Sequence, residues 1–178
     1  MNKKWECYQV DEELVDKIAR KYSISKLIAR ILVKRNIIED EKINVFLNPT
    51  RKDFYNPFLM PDMEKAVDRI IKAIENNEKI MIFGDYDVDG ITSITVLKKF
   101  LLDRNANVSQ YIPNRLFEGY GLNKDAIAKI AEDKFDLMIT VDCGISGVEE
   151  VEYANSLGIE TIVTDHHEPG EILPNAIA

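Results

Sequence analysis

The chain has 178 residues, of which 46% are hydrophobic and 30% are charged, with 23 basic and 31 acidic side chains and a formal net charge of −8. This length suits one domain or a domain with an arm, and the composition excludes collagen-like, low-complexity and disordered proteins. No apolar run approaches the roughly 18 residues of a membrane span, and the N-terminus lacks the apolar segment of an export signal. The two cysteines, Cys7 and Cys143, fit neither a disulfide framework nor a zinc site, so we expect a cytoplasmic protein without a membrane partner.

The negative charge is concentrated in the second part of the chain. Residues 1–56 carry 12 basic and 9 acidic side chains, whereas residues 57–178 carry 11 and 22. A negative balance alone disfavours nucleic acid as a partner, because phosphate binding normally requires an excess of Lys and Arg. Clustered carboxylates usually form a solvated face, but they also form sites for divalent cations.

Residues 11–46 have a helical pattern with a basic side. Apolar residues recur at helical spacing from Leu14 to Leu32, with lysines and arginines between them, which predicts short amphipathic helices. Their basic side is a solvated surface or, alternatively, an arm that faces nucleic acid. Prolines at 49, 57 and 61 interrupt the pattern. We therefore predict an N-terminal helical arm over residues 1–56 and a second domain over residues 57–178.

From Pro61 onward, predicted helices and strands alternate. A helix over residues 63–74 precedes strands at 80–83, 108–112, 137–141 and 159–164, with helices near 91–104, 123–133 and 147–157 between them. The strands are short continuous apolar runs, as in parallel sheets that are covered by helices on both faces. The predicted fold is α/β, an open parallel sheet preceded by the helical arm.

A polar motif follows each predicted strand. Since ligands of open α/β sheets bind outside the carboxyl ends of the strands, we expect the functional site at this edge. The motifs are GDYDVDG (84–90), PNRLFEGYG (113–121), DCG (142–144) and DHH (165–167).

Three aspartates, Asp85, Asp87 and Asp89, alternate on the turn after the first strand. The pattern is similar to a calcium-binding loop, but its twelfth position is Val96 instead of Glu, and the loop follows a strand instead of a helix. Crowded carboxylates repel one another unless a cation compensates them. A helix opening at Ile91 would point free N–H groups at the same edge. The loop thus favours metal-assisted phosphoryl chemistry over the alternative of a simple turn or cap.

The motifs after the third and fourth strands add an aspartate and both histidines of the chain. Asp142 is either a ligand or a helix cap, and we interpret Cys143 as a small buried side chain because nothing fixes a base beside it. Adjacent histidines are usually surface residues. An imidazole of His166 or His167 that faces a carboxylate-rich centre would, however, be a natural ligand for Mn²⁺.

In order and spacing, the motifs DYDVDG, VDCG and DHH resemble the first three motifs of the DHH phosphoesterase superfamily, and within it those of the RecJ-type single-strand-specific 5′→3′ DNA exonucleases. The resemblance extends to FLNP (46–49), PFLMPDMEKAVDRI (57–70) and IPNRLFEGYGL (112–122). It implies a metal-dependent phosphodiesterase of DNA repair and recombination. Its substrate would be single-stranded DNA, and its protein partners a single-strand-binding protein and a repair helicase.

The resemblance also implies roles for individual residues. Two divalent ions, Mn²⁺ or Mg²⁺, would be bound with Asp142 as the bridging ligand, and Asp165 and His167 would support the ligands or contact phosphate. Arg115 would grip a terminal 5′ phosphate and Tyr120 would stack on a base, the alternatives being an ordinary surface arginine and a core-filling tyrosine. The implied metal ligands are Asp85, Asp87, Asp89, Asp142 and His166, the catalytic set adds Asp165 and His167, and the substrate-binding residues are Arg115, Tyr120 and His167.

The sequence departs from the wider superfamily in two ways. One bears on which branch of the superfamily it resembles, and the other on how much of the DHH domain it contains. Phe83 stands where pyrophosphatases and small oligonucleotide phosphodiesterases have a metal-binding His, which favours the exonuclease branch. Family members have a fourth aspartate and a substrate-binding lobe downstream of DHH, so residues 1–178 alone are expected to be an incomplete, inactive part of the DHH domain. An oligonucleotide or cyclic-dinucleotide phosphodiesterase and a non-catalytic DHH scaffold are the alternative functions.

Overall fold

The computed structural model describes residues 9–178, which form two compact units, one ending at Asn56 and the other running from Pro57 to Ala178. Cys7 lies outside the described residues, and Cys143 is a free, buried thiol. Within residues 9–178, no helix is both long and apolar enough to cross a membrane.

The first unit packs three short amphipathic helices around its own core, as the apolar spacing predicted. Asp11 and Ser25 begin the first two helices, because their side-chain oxygens accept hydrogen bonds from the backbone N–H groups of Leu14 (3.0 Å) and Ile28 (3.2 Å). The core residues are Val15, Ile18, Ala19, Ala29, Leu32 and Ile43. The helices are α1 (Glu12–Tyr22), α2 (Lys26–Lys34) and α3 (Asp40–Leu47), followed by a 3₁₀ turn at Arg51–Asp53.

Several cations of this unit are paired within it. Lys26 lies 2.6 Å from a carboxylate oxygen of Asp16, and Arg30 lies 2.8 Å from one of Glu12. Because these charges already have acidic partners, the pairing favours a solvated basic surface over an arm that faces nucleic acid.

The second unit is an open, all-parallel sheet with the strand order β2-β1-β3-β4, which confirms the predicted α/β fold. This unit begins with a 3₁₀ turn at Pro57–Leu59. Its elements are α4 (Met63–Glu75), β1 (Lys79–Gly84), α5 (Val88–Leu102), β2 (Asn107–Tyr111), α6 (Lys124–Glu132), β3 (Leu137–Val141), α7 (Val148–Ser156) and β4 (Glu160–Thr164).

Two separate cores cover the two faces of this sheet. Ile80 and Ile82 of β1 point into the core beneath α4 and α5, while Met81 and Phe83 point into the core beneath α6 and α7. Successive residues of a strand point to opposite faces, so a strand between two cores is apolar at nearly every position, with Thr140 of β3 as a buried polar exception. This explains why the central strands are continuous apolar runs.

The register of the sheet aligns the ends of three strands. Gly84 pairs with Val141, and Val141 pairs with Thr164. Each of these residues is followed by an aspartate, so Asp85, Asp142 and Asp165 leave the sheet side by side at its carboxyl edge. A parallel sheet thereby assembles three acidic groups that are far apart along the chain.

Candidate active site

Helix α5 begins at Val88 and not at the predicted Ile91, because Asp87 caps it. Oδ1 of Asp87 accepts hydrogen bonds from the backbone N–H groups of Asp89 (2.9 Å) and Gly90 (3.0 Å). The expectation of free N–H groups at Ile91 was therefore wrong. The first turn of the helix lies three residues earlier, and Asp87 occupies two of its donors.

Gly90 holds this turn against the backbone of Asp85. A Cβ atom at Gly90 would lie 2.3 Å from the carbonyl oxygen of Asp85 and 2.7 Å from its nitrogen. No side chain fits at that distance from backbone, so the glycine is what lets the acidic loop close tightly after β1.

The carboxyl group of Asp85 is buried, with only 2% of the residue exposed. Its Oδ1 atom has no hydrogen-bond partner among residues 9–178. Burying an unpaired carboxylate oxygen is costly, whereas a cation at this edge of the sheet would compensate it. The orphaned oxygen therefore fits a metal centre.

Asp142 has an unusual backbone conformation at the end of β3. Its φ angle is +60°, and its N–H donates to the carbonyl of Thr164 (3.0 Å). Burial raises the pKa of the Asp142 carboxyl, the hydrogen bond from His166 opposes this, and the charges of Asp87 and Asp89 raise it further. Ionised Asp142 is thus held at an energetic cost that a bound cation would relieve.

Asp165 organises the turn that carries the two histidines. Its Oδ2 accepts the N–H of Ile145 (3.0 Å), and its Oδ1 accepts the backbone N–H groups of His166 (2.7 Å) and His167 (3.1 Å) and lies 2.7 Å from Nδ1 of His167. Burial alone would raise the pKa of Asp165, but these hydrogen bonds outweigh it and lower the pKa. Both oxygens are engaged, so Asp165 is placed to position its neighbours.

The two histidines project from this turn towards Asp142. Nε2 of His166 lies 2.9 Å from Oδ1 of Asp142, and the His166 side chain is exposed. The hydrogen bond that His167 donates to Asp165 raises the pKa of His167; burial opposes this effect, and the charges of Asp165, Asp142 and Asp85 add to it. Donor atoms of Asp142, His166 and His167 all lie within 4.8 Å of one another.

These donors fit a divalent ion. Adjacent ligands of an octahedral ion with bonds of roughly 2.1 Å are about 3.0 Å apart, close to the 2.9 Å between His166 and Asp142. A mixed carboxylate and imidazole set suits Mn²⁺. Asp85, Asp87 and Asp89 lie outside the group of three, although the charges of Asp87 and Asp89 act on Asp142. His167, which the resemblance assigns to support and substrate, lies inside it.

Tyr120 contacts His167 with its ring edge-to-face and does not fill the core, so that alternative was wrong. Half of the residue is exposed, its hydroxyl lies 3.2 Å from Nε2 of His167, and the same hydroxyl lies 3.5 Å from the carbonyl oxygen of Asp142. Burial of the hydroxyl and the charges of Asp165 and Asp85 raise the pKa of Tyr120 to about 12. The phenol therefore stays protonated at neutral pH.

Arg115 is exposed on the segment that leads to Tyr120. Its guanidinium carbon lies 5.3 Å from the centre of the Tyr86 ring, within the acidic loop. The segment 113–121 thus contacts Tyr86 at one end and His167 at the other, and so spans the site.

The loop between β3 and α7 and the first turn of α7 contribute residues to the site that sequence reasoning did not assign. A cavity of about 250 Å³ lies beside His167 and Asp165, and its wall includes Ile145, Ser146 and Glu150. The sequence feature that could have indicated this cavity is the pair of glycines at 144 and 147, because glycines leave room at a turn. Cys143 is fully buried, and burial raises the pKa of its thiol to about 12, so it is a packed side chain and no nucleophile.

Comparisons with known proteins confirm the resemblance predicted from the three motifs. Residues 79–178 match the model of the DHH family, N-terminal domain. The chain is 46% identical to the single-stranded-DNA-specific exonuclease RecJ of Bacillus subtilis over 98% of its own length and 22% of that protein. It is 42% identical to RecJ of Escherichia coli over 65% of its length and 20% of that protein.

Solved structures agree with this result. A crystal structure of exonuclease RecJ bound to manganese aligns with 67% of this chain and 31% of its own, at a TM-score of 0.63 and 37% identity. The structure of Thermus thermophilus RecJ in complex with Mn²⁺ aligns with 93% of this chain and 22% of its own, at a TM-score of 0.66 and 25% identity. The chain spans about a fifth of the length of the curated relatives it matches.

Proposed function

Because the chain belongs to the DHH family, we propose that it forms the metal-binding part of a single-stranded-DNA-specific exonuclease that degrades strands from the 5′ end in DNA repair and recombination. The observation that carries the proposal is the convergence of a buried, unpaired Asp85, a strained Asp142 and the histidine turn at one edge of the sheet. Similarity to RecJ over 98% of the chain supports the same activity.

The proposed cofactors are two divalent ions, Mn²⁺ or Mg²⁺. Such ions bind phosphate oxygens and lower the pKa of a bound water to near neutrality, which supplies a nucleophile without a protein side chain. RecJ structures that resemble this chain contain manganese, which supports the choice. The residues that we assign as ligands are Asp85, Asp87, Asp89, Asp142 and His166.

Other residues of the chain position these ligands and the substrate. Asp165 holds the histidine turn, and Tyr120 holds the ring of His167 through its hydroxyl. Arg115 would bind the terminal 5′ phosphate, because a guanidinium offers two parallel donors to phosphate oxygens. The exposed face of Tyr120 would stack on a base.

A DNA substrate is compatible with the acidic charge of this chain. Two divalent ions would add four positive charges at the carboxyl edge, where the aspartates are concentrated.

We further propose a cytoplasmic location and, as protein partners, a single-strand-binding protein and a repair helicase. We also propose that the full-length gene product supplies a fourth metal-binding aspartate and a second, substrate-binding lobe. Residues 1–178 alone would then have little activity.

The alternative of an oligonucleotide or cyclic-dinucleotide phosphodiesterase is less well supported. Phe83, at the position where those enzymes have a metal-binding His, is fully buried and stacks on Tyr111 with ring centres 5.2 Å apart. A non-catalytic scaffold would normally have lost ligands, yet every ligand expected in this span is present.

The test uses the full-length gene product that contains residues 1–178. Hydrolysis is measured on a 5′-phosphorylated single strand, on its duplex and on a dinucleotide, with Mn²⁺, Mg²⁺ or a chelator. We expect mononucleotides to be released from the single strand only when a divalent ion is present. Hydrolysis in the chelator would contradict the metal centre, and a preference for the dinucleotide would favour the alternative enzyme.

A further inference from the structure

An apolar pair, Leu116 and Phe117, stands almost fully exposed beside the proposed phosphate-binding arginine. The two residues are 85% and 84% exposed, more than nearly every other large apolar side chain of residues 9–178. Exposed apolar residues that occur singly need no explanation. Here, however, two are adjacent and lie on the segment that spans the site.

The turn that carries this pair is closed by its own hydrogen bonds. The carbonyl of Asn114 accepts the N–H groups of Phe117 (3.1 Å) and Glu118 (2.8 Å), and Oδ1 of Asn114 accepts that of Leu116 (3.0 Å). Glu118 accepts the N–H of Asn114 (2.7 Å) and the hydroxyl of Tyr111. The exposure of the pair therefore results from a defined turn that directs both side chains outward.

The neighbours of the pair indicate what it contacts. Arg115 precedes it in the turn and lies over Tyr86, and Tyr120 follows it and contacts His167. A cation next to exposed aromatic and apolar side chains is the combination with which proteins bind single-stranded nucleic acid. The cation binds phosphate, and each aromatic ring stacks on a base of any sequence.

We infer that Phe117 is a base-stacking residue, which binds an unpaired base of the strand whose phosphate is held by Arg115, with Leu116 packing against the same nucleotide. This inference rests on the function proposed above. The bases of a duplex already stack on their neighbours and present only their edges in the grooves, so the Phe117 ring discriminates in favour of single strands.

The test separates base contacts from phosphate contacts. Dissociation constants are measured by fluorescence anisotropy with the full-length gene product and 5′-phosphorylated strands with phosphorothioate linkages, which slow cleavage. One strand carries all its bases, and the other is abasic at the nucleotides nearest the 5′ phosphate. We expect Phe117→Ala to weaken binding of the complete strand roughly five- to hundredfold, and to change binding of the abasic strand by no more than about twofold.

Matched variants distinguish stacking from general hydrophobic contact. Phe117→Trp keeps an aromatic face and should bind the complete strand as the unchanged protein does. Phe117→Leu has no aromatic face and should bind this strand almost as weakly as Phe117→Ala. Val96→Ala removes an apolar side chain that is also exposed, 71%, but lies on helix α5. It should leave both dissociation constants unchanged.

Other outcomes would overturn the inference. Equal weakening on the complete and the abasic strand would mean that Phe117 contacts protein, such as another lobe of the gene product, and not a base. No weakening on either strand would mean that the pair has no role in binding. If the unchanged protein hydrolysed no strand in Mn²⁺, the proposed function itself would fail; hydrolysis without the base-dependent effect would refute only the role of Phe117.

Discussion

The imidazole of His166 lies 2.9 Å from the carboxylate of Asp142, although the two residues are 24 positions apart. The sheet register makes this contact possible, since Val141 pairs with Thr164 and the two residues follow these strand ends. The spacing suits adjacent ligands of one divalent ion, so each side chain should contribute to the same metal site.

Asp142→Asn is the first test of this site. The amide keeps the shape of the carboxylate but loses its charge, and Asn tolerates the positive φ of this position. We expect the fold to be retained. Mn²⁺ affinity measured by calorimetry should fall by more than the roughly 10- to 100-fold typical of losing a supporting partner, and strand cleavage should be abolished. Asp133→Asn, at the exposed C-cap position that follows α6, is the control.

Asp165→Asn tests a positioning role. An amide has one acceptor and one donor group, so its NH₂ would face either the N–H of Ile145 or those of the two histidines. We expect a loss of about 1–3 kcal/mol in the free energy of unfolding from the unsatisfied donors. The affinity for Mn²⁺ should also fall by roughly 10- to 100-fold. Unchanged metal affinity would show that the histidine turn does not depend on Asp165.

Gly90→Ala tests the packing of the acidic loop. The new methyl group would lie 2.3 Å from the Asp85 carbonyl oxygen, so the first turn of α5 has to move away from β1. Urea unfolding should show a destabilisation of about 1–3 kcal/mol, and Mn²⁺ affinity should fall with it. Gly170→Ala is the matched control, because a methyl group there would meet only the Ile172 carbonyl oxygen, at 3.7 Å. Equal effects of both changes would contradict this account.

Much of this architecture was readable from the sequence because it depends on periodicity. Continuous apolar runs such as Leu137–Val141 predicted strands buried on both faces, and the observed β3 has these bounds. The position of each motif after a strand then predicted one shared edge. Both predictions follow from local pattern and from the general geometry of parallel sheets.

Details that depend on side-chain contacts were not readable. The sequence pattern placed the start of α5 three residues late. The side chain of Asp87 accepts backbone N–H groups of the first helical turn, and this local hydrogen bonding is not visible in apolar spacing. The hydrogen bonds that commit Asp165 to positioning, and the contact of Tyr120 with His167, join residues from different loops. No spacing rule predicts which atoms meet there.

Arg115→Ala should weaken the handling of 5′-phosphorylated strands. A charge-assisted hydrogen bond is worth about 1.5–3 kcal/mol, so kcat/KM on a 5′-phosphorylated strand should fall roughly 10- to 100-fold. A strand with a 5′ hydroxyl should be affected much less, and calorimetry should show unchanged Mn²⁺ affinity. An equal loss on both strands, or a weaker metal site, would contradict a contact between Arg115 and the terminal phosphate.

Arg69→Met tests the ion pairs that join helix α4 to the sheet. Arg69 is buried, with Nη2 2.7 Å from a carboxylate oxygen of Glu78 and Nε bonded to Glu160. Removing the guanidinium leaves the carboxylates of Glu78 and Glu160 without this cationic partner. We expect the free energy of unfolding to fall by about 2–3 kcal/mol near pH 7. This is less than the roughly 3–5 kcal/mol expected for breaking a fully buried pair, because Glu160 is half exposed. Lys65→Met, which breaks an exposed pair between α4 and the Asp62 residue that precedes it, should cost about 0–1 kcal/mol.

The cost of Arg69→Met should also depend on pH. Burial alone would raise the pKa of Glu78, but the hydrogen bonds from Arg69 and Asn76 outweigh it and lower the pKa in the folded protein. A lowered pKa contributes stability at pH values above about 4.5, the value for an unfolded Glu, and this contribution is lost as pH falls through the folded pKa. Urea unfolding of the unchanged protein and of Arg69→Met should therefore give a difference that is largest near neutral pH and shrinks below about pH 4.5. A difference that stays constant over this range would mean that Arg69 stabilises the unit by packing alone and not through the charge of Glu78.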